Sequence, residues 1–100
     1  MELKPYFELL TRQGELNSVL MLGIKRIETD NFGTPQDTIG SFFPRIFIYY
    51  LNDNVVKLDF ENEDIEQANE AYRSITKISE ENMKYIVDNN MLEQVFNIKK

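Results

Sequence analysis

The stretch of sequence that decides the fold runs from residue 45 to residue 77 and reads RIFIYYLNDNVVKLDFENEDIEQANEAYRSITK. Two apolar runs, at residues 45–51 and 55–60, are separated by Asn52-Asp53-Asn54, which favours a tight turn. An acidic segment follows, with apolar residues three or four positions apart at Ile65, Ala68, Tyr72 and Ile75. This order predicts two antiparallel strands joined by a turn and followed by an amphipathic helix.

The predicted helix has the charge distribution that a helix favours. Asn62 is a suitable N-cap, and acidic residues follow it in the first turn. Arg73 and Lys77 lie near the other end. Acids at the start and bases at the end complement the helix macrodipole, which supports the helical interpretation.

A second helical segment is predicted after the first. Ser79, followed by Glu80 and Glu81, has the pattern of a second N-cap. The helical apolar period then continues through Met83, Ile86, Val87 and Met91. Asn89-Asn90 predicts a break, and the pattern leaves residues 91–98 open between helix, strand and tail.

Residues 5–11 and 16–22 predict a first hairpin. Gly14 lies between them and can supply the positive φ that a tight turn needs, and the second run alternates as a strand does. The first run also fits one stripe of a helix that begins at a proline, so the pattern favours a strand there and leaves the helix open. The three-residue step from Ile24 to Ile27 predicts a bend.

Residues 29–43 predict a long irregular connection, because they contain two glycines, a proline and several polar turn-forming residues. The same stretch contains large apolar residues, namely Phe32, Ile39, Phe42 and Phe43. These side chains either fold back onto the core or belong to a partner interface, and the sequence leaves both interpretations open.

These patterns predict an α+β fold with a four-stranded, mainly antiparallel sheet made of two β-hairpins. One amphipathic helix packs on the sheet, and a second, C-terminal helical segment follows. A chain of 100 residues makes a single domain, with residues 1–78 as the core and residues 79–100 as the added segment. The order of elements is similar to that of many small bacterial and phage domains, a likeness of pattern that singles out no family.

Residue types that carry catalysis or bind metals are scarce. The chain has no cysteine and no histidine, which excludes thiolate nucleophiles, cysteine-based zinc sites and the commonest general base. Five carboxylates lie within residues 59–66, but the glycine and the later glutamate of a calcium loop are missing. Strand alternation and a helix start account for these acids. We therefore predict no enzymatic activity, no cofactor and no metal site.

The net charge of −6 is concentrated in the second half of the chain, with −1 in residues 1–50 and −5 in residues 51–100. A basic surface of the kind that binds duplex nucleic acid is not visible. The N-terminal residues lack the apolar region of a signal peptide, and no apolar run approaches the roughly 20 residues that cross a bilayer. The expected location is the cytoplasm, or the host-cell cytoplasm for a viral protein, without membrane association.

The strand at residues 45–51 is apolar on both faces, which is typical of a strand covered on both sides. Central placement within the sheet of one chain, or burial by a second subunit, would each explain this pattern. One helix covers one face only, and a protein partner or a sister chain is expected to cover the other. The candidate interface residues are Phe42, Phe43, Phe47, Tyr49, Leu51, Met83, Ile86, Val87 and Met91.

The function expected from these observations is that of a small, non-enzymatic protein–protein interaction module. Such a module would form homo-oligomers or act as an accessory or inhibitor protein of a phage or mobile element. The alternative is a single-stranded nucleic-acid-binding protein that stacks bases on Phe47 and Tyr49. Few basic residues accompany these two aromatic residues in the sequence, which favours the protein partner.

Overall fold

Five strands and one long helix make up the part of the chain that the structure describes. This computed structural model describes residues 3–32 and 43–93, without the side chain of Asn62. The elements are β1 (Tyr6–Leu10), β2 (Leu16–Leu20), β3 (Ile24–Asp30), β4 (Arg45–Tyr50), β5 (Val55–Asp59) and α1 (Ile65–Asp88). Short 3-10 turns at Arg12–Gly14 and Asn62–Asp64 connect β1 to β2 and precede α1. The predicted α+β class is confirmed.

The N-terminal hairpin forms as the sequence predicts. β1 and β2 pair antiparallel over five residue pairs, with Tyr6 opposite Leu20 at the open end. The connecting turn holds Gln13 and Gly14 at φ values of 65° and 70°, a region that glycine adopts without steric cost. The helical alternative for residues 5–10 is thereby excluded.

The second sheet has three antiparallel strands in the order β3-β4-β5. Strand β4 is central, as its two apolar faces indicate. The predicted single four-stranded sheet is wrong, because the described strands form separate two-stranded and three-stranded sheets. Strand β3 is an additional strand, lying where the sequence predicted a bend and the start of an irregular connection.

A β-bulge between Ile24 and Arg26 explains why β3 escapes prediction. The extra residue shifts the side-chain alternation by one position. Ile24 and Ile27 therefore both pack against the core, although they are three positions apart. A three-residue apolar step does not match the period of a regular strand.

Helix α1 is continuous over 24 residues, so the predicted second helical segment beginning at Ser79 is wrong. The stretch contains no glycine or proline, and its buried stripe continues through Ile75, Asn82 and Ile86. Burial of that stripe keeps the helix intact past Ser79, whose cap-like sequence is not used.

Both ends of α1 differ in detail from the sequence pattern. The N-cap position is Asp64 rather than Asn62, because the Asn62–Asp64 turn comes first. The predicted break at Asn89-Asn90 is confirmed: Asn90 adopts a φ of 54°. The Asn89 side chain donates a hydrogen bond of 2.8 Å to the carbonyl of Tyr85, which also accepts the backbone N–H of Asn89 at 3.0 Å.

The core lies between the three-stranded sheet, α1 and the inner face of the hairpin. Its most deeply buried apolar side chains are Val19, Met21, Ile46, Ile48, Leu58, Phe60, Ala68, Ile75 and Ile86. Within the strands of the hairpin, the carbonyl of Leu20 accepts a hydrogen bond from the Tyr50 hydroxyl, and that of Leu10 accepts one from the Gln67 amide. The face of β4 that carries Ile46 and Ile48 is thus fully covered, and the other face remains to be accounted for.

Candidate interaction surfaces

The face of the three-stranded sheet that points away from α1 is here called the open face. The alternation of the strands places nine side chains on it: Arg26, Glu28, Asp30, Arg45, Phe47, Tyr49, Val55, Lys57 and Asp59. The register brings them into three cross-strand rows, with Tyr49 between Arg26 and Val55, and Phe47 between Glu28 and Lys57. An aromatic centre flanked by charged residues is the result.

The aromatic pair at the centre of the open face is held in a defined geometry. The rings of Phe47 and Tyr49 are stacked, with centroids 6.4 Å apart and planes inclined by 27°. The guanidinium of Arg26 lies 4.0 Å from the centroid of the Tyr49 ring, within cation–π distance. Arg26 Nε also donates a 2.9 Å hydrogen bond to Glu28 Oε2, which fixes the guanidinium in place. Both aromatic side chains stay half-buried and accessible from one side.

Charges on the open face balance one another. Its three basic residues are matched by three acidic residues on the same strands. Arg26 is paired with Glu28, and Arg45 Nε lies 2.9 Å from Asp59 Oδ1 across the β4–β5 pair. The open face is therefore aromatic and close to neutral.

A second apolar surface lies near the C-terminal end of α1. Met83 and Val87 are 38% and 53% exposed, and both are candidate interface residues from the sequence. Ile86 was also a candidate interface residue. It is 1% exposed, so its side chain belongs to the core and cannot face a partner. Met91 is half-buried. This surface lies on the α1 side of the three-stranded sheet, and the open face lies on the other side.

The remaining candidate residues occupy the loops. Leu51 is exposed in the turn between β4 and β5. Phe43 is half-buried, and the Arg12 guanidinium lies 3.8 Å from its ring centroid. That contact places Phe43 against the hairpin turn of the same chain. It agrees with the interpretation in which this side chain folds back within the chain, rather than the one in which it belongs to a partner interface. Phe42 lies outside the described residues.

Sequence reasoning missed two features of these surfaces. Arg26 was not recognised as a neighbour of Tyr49, because β3 was not predicted as a strand. The outer face of the hairpin was also missed; it exposes Tyr6, Leu10, Leu16 and Leu20. The alternation in residues 16–22 is visible in the sequence, but it does not say which of its two faces is covered.

The acidic stretch at residues 59–66 is divided by the fold. Asp59 lies beside Arg45 on the open face, and Glu61 Oε1 lies 3.3 Å from Arg12 Nε of the hairpin turn. Glu63, Asp64 and Glu66 are exposed around the start of α1. Within residues 3–32 and 43–93, no three acidic side chains come close enough together to hold a metal ion.

Comparison with protein-family models, with curated proteins and with solved structures gives no match. The described part of the chain contains no helix with both the length and the apolar character needed to cross a membrane.

Proposed function

We propose that this protein is a non-enzymatic protein–protein interaction module that binds a partner protein through the open face. The observation that carries the proposal is the stacked pair of Phe47 and Tyr49 with the Arg26 guanidinium against it. Aromatic residues and arginine are the residue types that most often dominate the binding energy of protein interfaces. A partner that buries this pair would give β4 the second covered face that its sequence implies.

The neighbouring ion pairs support a protein partner in a further way. Interfaces combine a desolvated aromatic centre with a polar rim. Here Arg26–Glu28 and Arg45–Asp59 form that rim, and in each pair the two side chains are already in contact. Preorganised side chains lose less conformational entropy on binding, which favours association.

The charge balance favours protein over nucleic acid as the ligand. Single-strand binders add a positively charged groove to their stacking aromatics. On the open face, the Nε atoms of Arg26 and Arg45 each lie 2.9 Å from a carboxylate, which already neutralises part of their positive charge. The chain as a whole carries −6, which further disfavours a polyanion. An accessory or inhibitor protein of a phage or mobile element is compatible with this picture.

Capture of partners from the native host tests the proposal. Wild-type protein is compared with Phe47→Ala and Tyr49→Ala, and Tyr6→Ala serves as the control because Tyr6 is an exposed tyrosine on the hairpin. We expect the same partner to be retained by wild type and by Tyr6→Ala and lost by both open-face variants. Thermal melting confirms that each variant is folded.

A gel shift with single-stranded oligonucleotides at low salt distinguishes the rival function. Binding that disappears in Tyr49→Ala would assign the open face to nucleic acid instead. Retention of the partner by the double variant of Phe47 and Tyr49 would also contradict the proposal, because the interface would then lie elsewhere.

A further inference from the structure

The outer edge of β3 is a feature that the proposed function does not use. In the described part of the chain β3 pairs with β4 on one side only. It is seven residues long, more than any other described strand. An edge of this length presents a row of backbone N–H and C=O groups that can pair with another strand.

The ladder pattern identifies which backbone groups face outward. The Tyr50 N–H donates to the carbonyl of Asn54, so even-numbered residues of β4 bond to β5 and odd-numbered ones bond to β3. Their partners on β3 are the even-numbered residues 26, 28 and 30. The N–H and C=O groups of Ile27 and Thr29 therefore point to the outer edge.

We propose that the protein forms a homodimer in which β3 pairs antiparallel with β3 of a second copy, about a two-fold axis at Ile27. In this register the outward groups of Ile27 exchange hydrogen bonds with their counterparts, as in a hydrogen-bonded antiparallel pair. Arg26 of each copy lies opposite Glu28 of the other copy, on the open-face side. The interface is thus self-complementary in both hydrogen bonds and charge, as a two-fold interface requires.

Charge selects this register over its neighbours. A shift of the partner strand by one residue would place core-facing side chains on the open face. The two-fold axis must therefore pass through a single residue of β3, such as Arg26, Ile27 or Glu28. Centring the axis at Glu28 would pair Arg26 with Asp30 of the other copy but would also put two Glu28 carboxylates opposite each other, and centring it at Arg26 would put two guanidinium groups together. Like charges directly opposite destabilise a strand pair, and opposite charges stabilise it. The pairing centred at Ile27 has two opposite-charge pairs and no like-charge pair.

The core side of the edge also gains a partner in this arrangement. Ile27 is half-buried and lines a groove of about 240 Å³ between β3 and α1, together with Ile24, Tyr72 and Thr76. The two-fold axis brings the Ile27 side chains of both copies together at the mouths of their grooves. The axis is perpendicular to the sheet, so the two three-stranded sheets join into six strands with both open faces on one side. The inference concerns the backbone edge of β3, shares Arg26 and Glu28 with the rim of the open face, and does not rest on the proposed function.

Light scattering after size-exclusion chromatography tests the dimer from micromolar to millimolar concentration. We expect the mass to rise with concentration towards double the 11.8 kDa of one chain. Glu28→Lys and Arg26→Glu each turn both cross-strand attractions into repulsions, and each should weaken dimerisation at least about tenfold. Glu8→Lys is the matched control, since it makes the same charge reversal on the exposed face of β1 and should dimerise as wild type does.

A mixture of the two charge variants provides the decisive measurement. The Glu28→Lys variant has cations at positions 26 and 28, and the Arg26→Glu variant has carboxylates at both positions. Their heterodimer therefore restores both opposite-charge pairs. We expect the mixture to dimerise although neither variant does so alone. If a charge variant does not melt cooperatively, Glu28→Gln replaces it, because that change removes the attraction without adding a repulsion.

Amide hydrogen exchange on the wild type gives a second readout that needs no substitution. The N–H groups of Ile27 and Thr29 should gain protection as the concentration rises. A mass that stays at 11.8 kDa at millimolar concentration would overturn the proposal. A dimer that both charge variants preserve, or a mixture of folded variants that stays monomeric, would overturn it as well.

Discussion

The carboxamide of Asn82 pairs with both backbone polar groups of Lys4, accepting from its N–H and donating to its C=O at 2.9 Å each. A side chain of the helix thus takes the place that a neighbouring strand would take beside the N-terminal hairpin. The second hydrogen of the amide goes to the carbonyl of Met21, at 3.1 Å. Asn82 is 2% exposed and is the one fully buried polar side chain in the described part of the chain.

We expect Asn82→Ala to lower the free energy of unfolding by about 3 kcal/mol, because it removes three hydrogen bonds, one of them buried and two partly buried. Urea unfolding followed by circular dichroism measures the change. Asn89→Ala is the control, since its side chain makes one exposed hydrogen bond and its loss should cost less than about 1 kcal/mol. Equal effects of the two substitutions would contradict the anchoring role of Asn82.

Stability should depend on pH at the alkaline end through Tyr50. Its hydroxyl donates a 2.6 Å hydrogen bond to the carbonyl of Leu20, and burial raises the pKa of Tyr50 above its ordinary value of 10.0. A raised folded-state pKa means that the contribution is fully present below pH 10.0 and is lost as the pH rises through the folded value. The urea concentration at the midpoint of unfolding should therefore decrease as the pH rises above 10.0.

Tyr50→Phe isolates this contribution. At neutral pH the substitution should cost about 1 kcal/mol for the lost hydrogen bond. Above pH 10.0 its stability should fall less steeply than that of the wild type. Tyr6→Phe changes an exposed tyrosine and should keep the wild-type profile. Parallel alkaline profiles for wild type and Tyr50→Phe would show that another group is responsible.

Ile86 and Val87 are neighbours in the chain with opposite surroundings, 1% and 53% exposed. Ile86→Ala should lower the free energy of unfolding by about 3 kcal/mol, because it leaves a cavity in the core. Val87→Ala should change it by no more than about 0.5 kcal/mol. Thermal and urea unfolding of the two variants measure the contrast. If both substitutions were mild, Ile86 would belong to the surface, as the sequence had suggested.

Arg26 and Tyr49 should be energetically coupled through the cation–π contact. A double-mutant cycle with Arg26→Ala and Tyr49→Ala is expected to give an interaction energy of about 0.5–1 kcal/mol. Measurement at micromolar protein concentration keeps this value separate from self-association. Pairing Tyr49→Ala with Arg73→Ala, an exposed arginine on α1, should give a coupling close to zero. A coupling near zero in the first cycle would mean that Arg26 does not fix the aromatic pair.

Prediction from sequence succeeded where a local pattern and the tertiary environment agree. The turn at residues 52–54 and the apolar runs around it predicted β4 and β5, and Gly14 marked the first hairpin turn. Prediction failed at β3, where the bulge breaks the two-residue period, and at Ser79, where a cap-like sequence is overruled by continued burial. The candidate surface at Phe47 and Tyr49 was found from alternation, but their neighbour Arg26 was not.

The sequence by itself determined the α+β class, the central position of β4 and the absence of cysteine and histidine chemistry. These follow from residue types and short-range periodicity, which act within a few residues of the chain. Only the tertiary structure decided that Asn82 pairs with Lys4 and that Arg26 covers Tyr49. It alone also placed Ile86 inside and Val87 outside. Such relationships join residues far apart in sequence, or depend on which of two similar faces is covered, and no local pattern records either.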